Sequence, residues 1–120
     1  MEPATEPPRL LPLQGVRVLE LGTYYAAGLA TAHLAGLGAS VVAVSRPADT
    51  RGAGAEGRFR PAALASLSAE KRAVDLDLRK PADKLAFEQL VRESDVLVTN
   101  FSATTLEKLC LMSLASRARF

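Results

Sequence analysis

Residues whose types and spacing bear on chemistry gather at a few points of this chain. Residues 52–57 (GAGAEG) satisfy G-x-G-x-x-G, a pattern that cradles a pyrophosphate only when it follows the first strand directly and opens a helix. These glycines instead lie well past a second apolar run and lead into Arg58-Phe59-Arg60-Pro61, so they read as a loop. Residues 22–28 (GTYYAAG) are a better ligand site. They put small residues and a candidate N-cap, Thr23, at a helix start, where free backbone N–H groups and the helix dipole attract anions. Ordinary capping with close strand–helix packing accounts for the same residues equally well. Arg46, at the end of the second apolar run, stands where it could reach a phosphate from the same side, although a lone arginine is ordinarily just solvated.

The remaining candidates read as structural. His33 is the single histidine and lies mid-helix between Leu29 and Leu37, with no nucleophile or acid beside it. Cys110, the single cysteine, sits in an apolar stretch and reads as a buried thiol. Asp75 and Asp77 share a strand face without a third metal ligand, which favours a solvated edge. Lys71-Arg72 and Arg79-Lys80 flank that strand, either as phosphate grips or as soluble ends. The residues alone therefore offer anion-binding options and no catalytic or metal-binding constellation.

The elements that must position these residues follow from periodicity. Residues 16–21 (VRVLEL) are β-branched and aliphatic and end at Gly22, as a strand closing on a turn does. Over residues 24–37 the period changes. Leu29, Ala30, His33, Leu34 and Leu37 recur at helical spacing, and Gly38 supplies the left-handed stop. Residues 39–44 (ASVVAV) are a continuous apolar run suited to a strand covered on both faces, so 16–44 form one βαβ unit. Residues 45–60 read as a loop, and 61–67 as a short helical piece. Residues 74–78 (VDLDL) alternate and predict a strand at a sheet edge, because their aspartates should face water. Pro81 opens a helix to Glu93 with Leu85, Ala86, Leu90 and Val91 as its buried stripe. Val96–Thr99 reads as a buried strand and 104–111 as a last helix. The order predicts an α/β fold, a Rossmann-like, doubly wound and mainly parallel sheet with room for one odd strand.

Composition bounds the class. The chain has 120 residues, 48% of them hydrophobic, with 15 Lys+Arg against 13 Asp+Glu, which fits one globular domain with a modest core. A net charge of +2 without a basic run argues against nucleic acid as a partner. No apolar run is long enough for a membrane span, and the leader lacks the order of a signal peptide, so no membrane partner and a cytoplasmic location are expected. Residues 1–12, holding four of the seven prolines, read as a disordered leader.

Four blocks carry a resemblance: residues 13–21 (LQGVRVLEL), 34–42 (LAGLGASVV), 70–78 (EKRAVDLDL) and 94–101 (SDVLVTNF). In this order and at these separations they resemble the N-terminal region of the class III CoA-transferases, the CaiB/BaiF family. That family includes formyl-CoA transferase and, as an isomerase branch, α-methylacyl-CoA racemase. The resemblance covers residues 13–111 and leaves 112–120 as a divergent tail. It implies a coenzyme A-binding Rossmann-like domain, in subunits that pair as a homodimer, moving CoA from an acyl-CoA donor to a carboxylic acid. Matched positions imply CoA contacts from Tyr24, Tyr25 and Ala26 after the first strand and from Arg46 after the second. Leu76 and Arg79 come from the basic strand region, Asn100 and Phe101 from the end of the fourth strand, and Lys108 and Leu109 from the last helix.

The chain departs from the family pattern at Ala27-Gly28, where Gly-Pro is usual, and at Ala43 and Ser45, where Lys and Glu are usual. It departs again at Ser102-Ala103-Thr104, where Arg-Pro-Gly is usual, and at Cys110, where Gly is usual. The family's catalytic aspartate matches no residue here. The expectation is therefore the incomplete CoA-binding N-terminal portion of a transferase, with no metal and no catalytic residue of its own. A racemase-like isomerase portion, or an inactive remnant acting as an interaction module, is the alternative.

Overall fold

The structure, a computed structural model, describes residues 10–22, 25–47 and 70–109. Four strands and three helices follow one another along them: β1 (Arg17–Leu21), α1 (Ala26–Gly36), β2 (Ser40–Ser45), β3 (Arg72–Asp75), α2 (Pro81–Glu93), β4 (Val96–Thr99) and α3 (Ala103–Lys108). The strands form one sheet in the order β3-β2-β1-β4 with every pairing parallel, so no odd strand occurs among the described residues. Leu21 pairs with both Val44 and Thr99, which brings the carboxyl ends of β1, β2 and β4 to one level.

Alternation along β1 sends its side chains to two layers. Leu19 and Leu21 join Val44, Leu76, Leu78 and Phe87 in a core completed by Leu90, Val91 and Leu106 of α2 and α3. Val18 joins Ala39 and Val41 on the opposite face, against Leu34 and Ala35 of α1. The sheet is thus covered on both faces, as expected for a doubly wound fold. Gly38 has φ +105°, the left-handed stop anticipated after α1, and an added Cβ there would lie 2.6 Å from the Leu11 Cβ. At the amino end of the sheet, Arg17 N donates to Asp95 Oδ2 at 2.9 Å while Asp95 N donates to the Arg17 carbonyl at 2.8 Å. That exchange fixes the β1–β4 register, and the Arg17 guanidinium holds the Asp95 carboxyl below the usual carboxylate range.

Several expectations are corrected. Helix α1 buries Ala27, Gly28 and Thr31, whereas Leu29, Ala30, His33 and Leu37 face outward. Its sequence is apolar on every side, so periodicity carries no preferred face, and the side that packs is the one with residues small enough for close approach. In α2, Phe87 is fully buried while Leu85 is 67% exposed, so the stripe runs Phe87, Leu90, Val91. Strand β3 ends at Asp75. Leu76, Asp77 and Leu78 lie beyond it, and Asp77 is buried rather than facing water. β3 is nonetheless an edge strand of the described sheet. β4 is the other edge, and Val96 and Leu97 are exposed instead of buried. The helical piece at 61–67, the loop glycines of 52–57, Thr23, Tyr24 and Cys110 lie outside the described residues.

Candidate functional site

In a doubly wound sheet, ligands bind outside the carboxyl ends of the strands where the strand order reverses. The order β3-β2-β1-β4 puts that point between β1 and β4, at Gly22 and Asn100. The two are packed closely. A Cβ added to Gly22 would lie 2.5 Å from the Ala27 Cβ and 2.7 Å from Asn100 Oδ1. Only a glycine lets the start of α1 and the Asn100 amide both approach the end of β1 this nearly.

Around this crevice stand four of the ten residues implied by the resemblance. Tyr25 and Ala26 form the exposed entry to α1, and among the described residues no side chain caps that helix start. A helix start of this kind presents backbone N–H groups that suit an anion. Asn100 is exposed, and Phe101 is half-buried against the core with its N–H donated to Thr99 Oγ1 at 3.1 Å. Ser102 then caps α3 by accepting from Thr105 N at 3.2 Å. Arg46 leaves the end of β2 as an exposed side chain on the same edge, beside Ser45, whose hydroxyl donates to Asp75 at 2.9 Å. Lys108 and Leu109 lie at the far end of α3, about 9 Å along the helix from its capped start. Leu109 packs toward the core, and Leu76 is buried within it. Of the implied contacts, Tyr25, Ala26, Asn100 and Phe101 come together at the crevice. Arg46 and Arg79 stand further along the same edge.

Arg79 is already engaged. Its Nε is 2.9 Å from Asp77 Oδ1 and its NH2 is 3.0 Å from Oδ2, while its backbone N–H donates to the same carboxylate. Asp77 N in turn donates to Asp83 Oδ2 at 2.8 Å. This closes the turn between β3 and α2 and explains why Asp77 is buried: its carboxylate serves backbone and guanidinium donors instead of water. The Arg79 side chain and backbone N–H hold the Asp77 carboxyl down to about 2. An unfolded aspartate titrates near 3.9, so this contact stabilises the fold fully above roughly pH 4 and its contribution is lost as pH falls toward the folded value. Urea midpoints measured from pH 6 downward should fall less steeply in Asp77→Asn than in the wild type. An identical pH profile would show that the turn does not depend on this carboxylate.

A second set of polar groups was not visible in the sequence as a unit. Lys71 Nζ lies 3.0 Å from Glu20 Oε2, with side-chain exposures of 4% and 12%, and donates to the Gly28 carbonyl at 2.8 Å. Thr31 Oγ1, on a fully buried residue, lies 2.7 Å from the same Glu20 oxygen. Lys71, a member of the Lys71-Arg72 pair that the sequence offers as a phosphate grip or a soluble end, instead turns its ammonium inward. The available signal was the spacing of Lys71 two residues before Ala73, on the strand face that carries Ala43 and Glu20 in register.

The chain matches CoA-transferase family III over residues 13–120. It is 39% identical over 105 residues to the succinyl-CoA–L-malate CoA-transferase beta subunit of Chloroflexus aurantiacus, an alignment covering 82% of this chain and 25% of that protein. Among solved structures it resembles a hypothetical protein from Mycobacterium tuberculosis, with TM-score 0.74 and 32% identity over 91% of this chain and 31% of that one. It also resembles a CaiB/BaiF family protein from Brucella suis, with TM-score 0.68 and 31% identity over 90% of this chain and 31% of that one. The chain spans about a quarter of the length of the curated relatives it matches, 16% of one and 28% of another.

Proposed function

The chain belongs to CoA-transferase family III, and from that premise we propose that it binds coenzyme A thioesters along the carboxyl edge of its sheet. In this reading it forms the CoA-binding wall of an enzyme that moves CoA from an acyl-CoA donor to a carboxylic acid, working as a homodimer. The observation that carries the reading is the strand order, which sets Gly22 and Asn100 at the switch point with the start of α1 beside them. The thioester arm would enter between Tyr25, Ala26 and Asn100, with Phe101 as an apolar wall. Arg46 would meet a phosphate, and Arg79 would share its guanidinium between Asp77 and a second phosphate.

Binding is assigned to these residues and bond-making is not. The carboxylates at this edge already have partners: Asp75 takes the Ser45 hydroxyl, Asp77 takes Arg79, and Asp83 takes the Asp77 N–H. A nucleophilic carboxylate is therefore assigned to a part of the enzyme outside the described residues. Among the described residues no helix is long and apolar enough to cross a membrane.

Calorimetric titration of the chain with CoA and acetyl-CoA tests the reading. Saturable binding is expected, weakened about tenfold by Arg46→Ala, the loss of one charge-assisted contact. A folded chain that gives no heat with either ligand would refute it.

A further inference from the structure

The buried group of Glu20, Thr31 and Lys71 joins three parts of the chain that meet just behind the crevice. Glu20 is on β1, two residues before Gly22. Thr31 is on the second turn of α1, and Lys71 immediately precedes β3 at the edge of the sheet. Lys71 spans two strands to reach its partners. Glu20 is level with Ala43 of β2, and Ala43 with Ala73 of β3, so Lys71, two residues before Ala73, has β2 between it and Glu20. Its ammonium then meets one carboxylate oxygen of Glu20 and the Gly28 carbonyl, in the first turn of the helix whose start faces the site. Thr31 donates to the same Glu20 oxygen. No buried side-chain nitrogen or oxygen among the described residues lacks a partner.

A buried ion pair is weak evidence for stability, because desolvation offsets most of the Coulombic gain. Its directional contacts can instead set geometry. Here they hold the first turns of α1 against β1, and the consequence falls on Gly22, two residues after Glu20, where Ala27 and Asn100 both approach with no room for a Cβ. A small shift of α1 would move Tyr25 and Ala26 relative to Asn100.

We propose that Lys71 is a positioning residue for the crevice, fixing the start of α1 over the end of β1 through Glu20 and the Gly28 carbonyl so that Tyr25, Ala26 and Asn100 present a preorganised surface to the CoA thioester. The proposal rests on the CoA-binding reading above. Preorganisation of this kind raises affinity by removing an ordering cost at the moment of binding.

The test uses the whole chain, isotope-labelled for amide NMR, as wild type, as Lys71→Met and as the double variant Glu20→Gln/Lys71→Met. Lys71→Met leaves the Glu20 carboxylate buried and unpaired, so its melting temperature should fall. The double variant buries no charge and should recover most of that loss. Positioning predicts that the amide resonances of Gly22, Ala26 and Asn100 move in both variants while those of Arg17 and Asp95, at the opposite end of the sheet, stay in place. It also predicts a CoA dissociation constant raised about tenfold in the double variant despite its recovered stability. A double variant that melts like the wild type, keeps those three amides in place and binds CoA unchanged would overturn the proposal and leave Lys71 a stabilising residue only. Absence of CoA binding by the wild type would instead defeat the CoA-binding reading. The amide shifts would then still decide the clamp: moved amides uphold it and unmoved amides overturn it.

Discussion

Gly22→Val is expected to remove CoA binding and to lower the stability of the chain by about 1–3 kcal/mol, the usual cost of forcing extra carbon into a packed site. The introduced Cβ would sit 2.5 Å from the Ala27 Cβ and 2.7 Å from Asn100 Oδ1. The Ala27 Cβ cannot rotate away, because it is carried on the helix backbone, so relief requires α1 to lift from β1. The Asn100 amide, 2.7 Å from the introduced Cβ, would be displaced as well. Both movements spoil the proposed site. Adding Ala27→Gly removes one of the two clashes and should return part of the lost stability without returning affinity, since Asn100 remains displaced. Urea melts and calorimetric titration of the three proteins check this. A Gly22→Val chain that melts and binds like the wild type would show that the approach of α1 and Asn100 to β1 is not as close as described.

Phe87→Ala should be the most damaging truncation in the core, costing about 3–5 kcal/mol. Phe87 is completely buried and packs with Leu19, Leu21, Val44, Leu76 and Leu78 on the face opposite α1. Domains of this size are stable by roughly 5–15 kcal/mol, so a loss of that order brings the chain near its unfolding limit. Leu85→Ala, two residues earlier on the same helix, should change the urea midpoint little, because Leu85 stands in solvent. Circular dichroism of the two variants in urea measures the difference. If Leu85→Ala were the costlier change, α2 would have to pack through the face that its leucine spacing suggested.

That pair of residues shows how far the sequence could be read. The bounds of α2 were legible because Pro81 belongs at a first helical position and the apolar spacing runs out at Glu93. Its orientation was not, since Leu85, Phe87, Leu90 and Val91 allow more than one apolar stripe, and the sheet chose the one that buries the aromatic ring. Helix α1 repeats the lesson more strongly. With apolar or small residues on every side, its pattern names a helix and no face, and the choice fell to the residues small enough to approach β1. Among the described strands β3 stands at the edge expected from its aspartates, yet Asp77 lies beyond β3 and the reason fails for it: Arg79 and its backbone N–H replaced water as its partners.

Of the proposed site, the placement of Tyr25, Ala26, Asn100 and Phe101 on one edge was legible, because each follows the end of a strand and the ends of parallel strands meet on one edge. The closeness of Gly22, Ala27 and Asn100 was not, because it depends on the distance between elements rather than on their order.

The sequence by itself determined the strands and helices, their parallel α/β arrangement and the family, because these rest on local propensity, period and ordered blocks of residues. Only the tertiary structure decided which face of each helix is buried and where the charges go. Lys71 meets the Gly28 carbonyl across 43 positions of chain, and Glu20 meets Thr31 across 11. Such partners are selected by which strands lie side by side and how near a helix can come, and a buried charge accepts whatever partner that packing supplies.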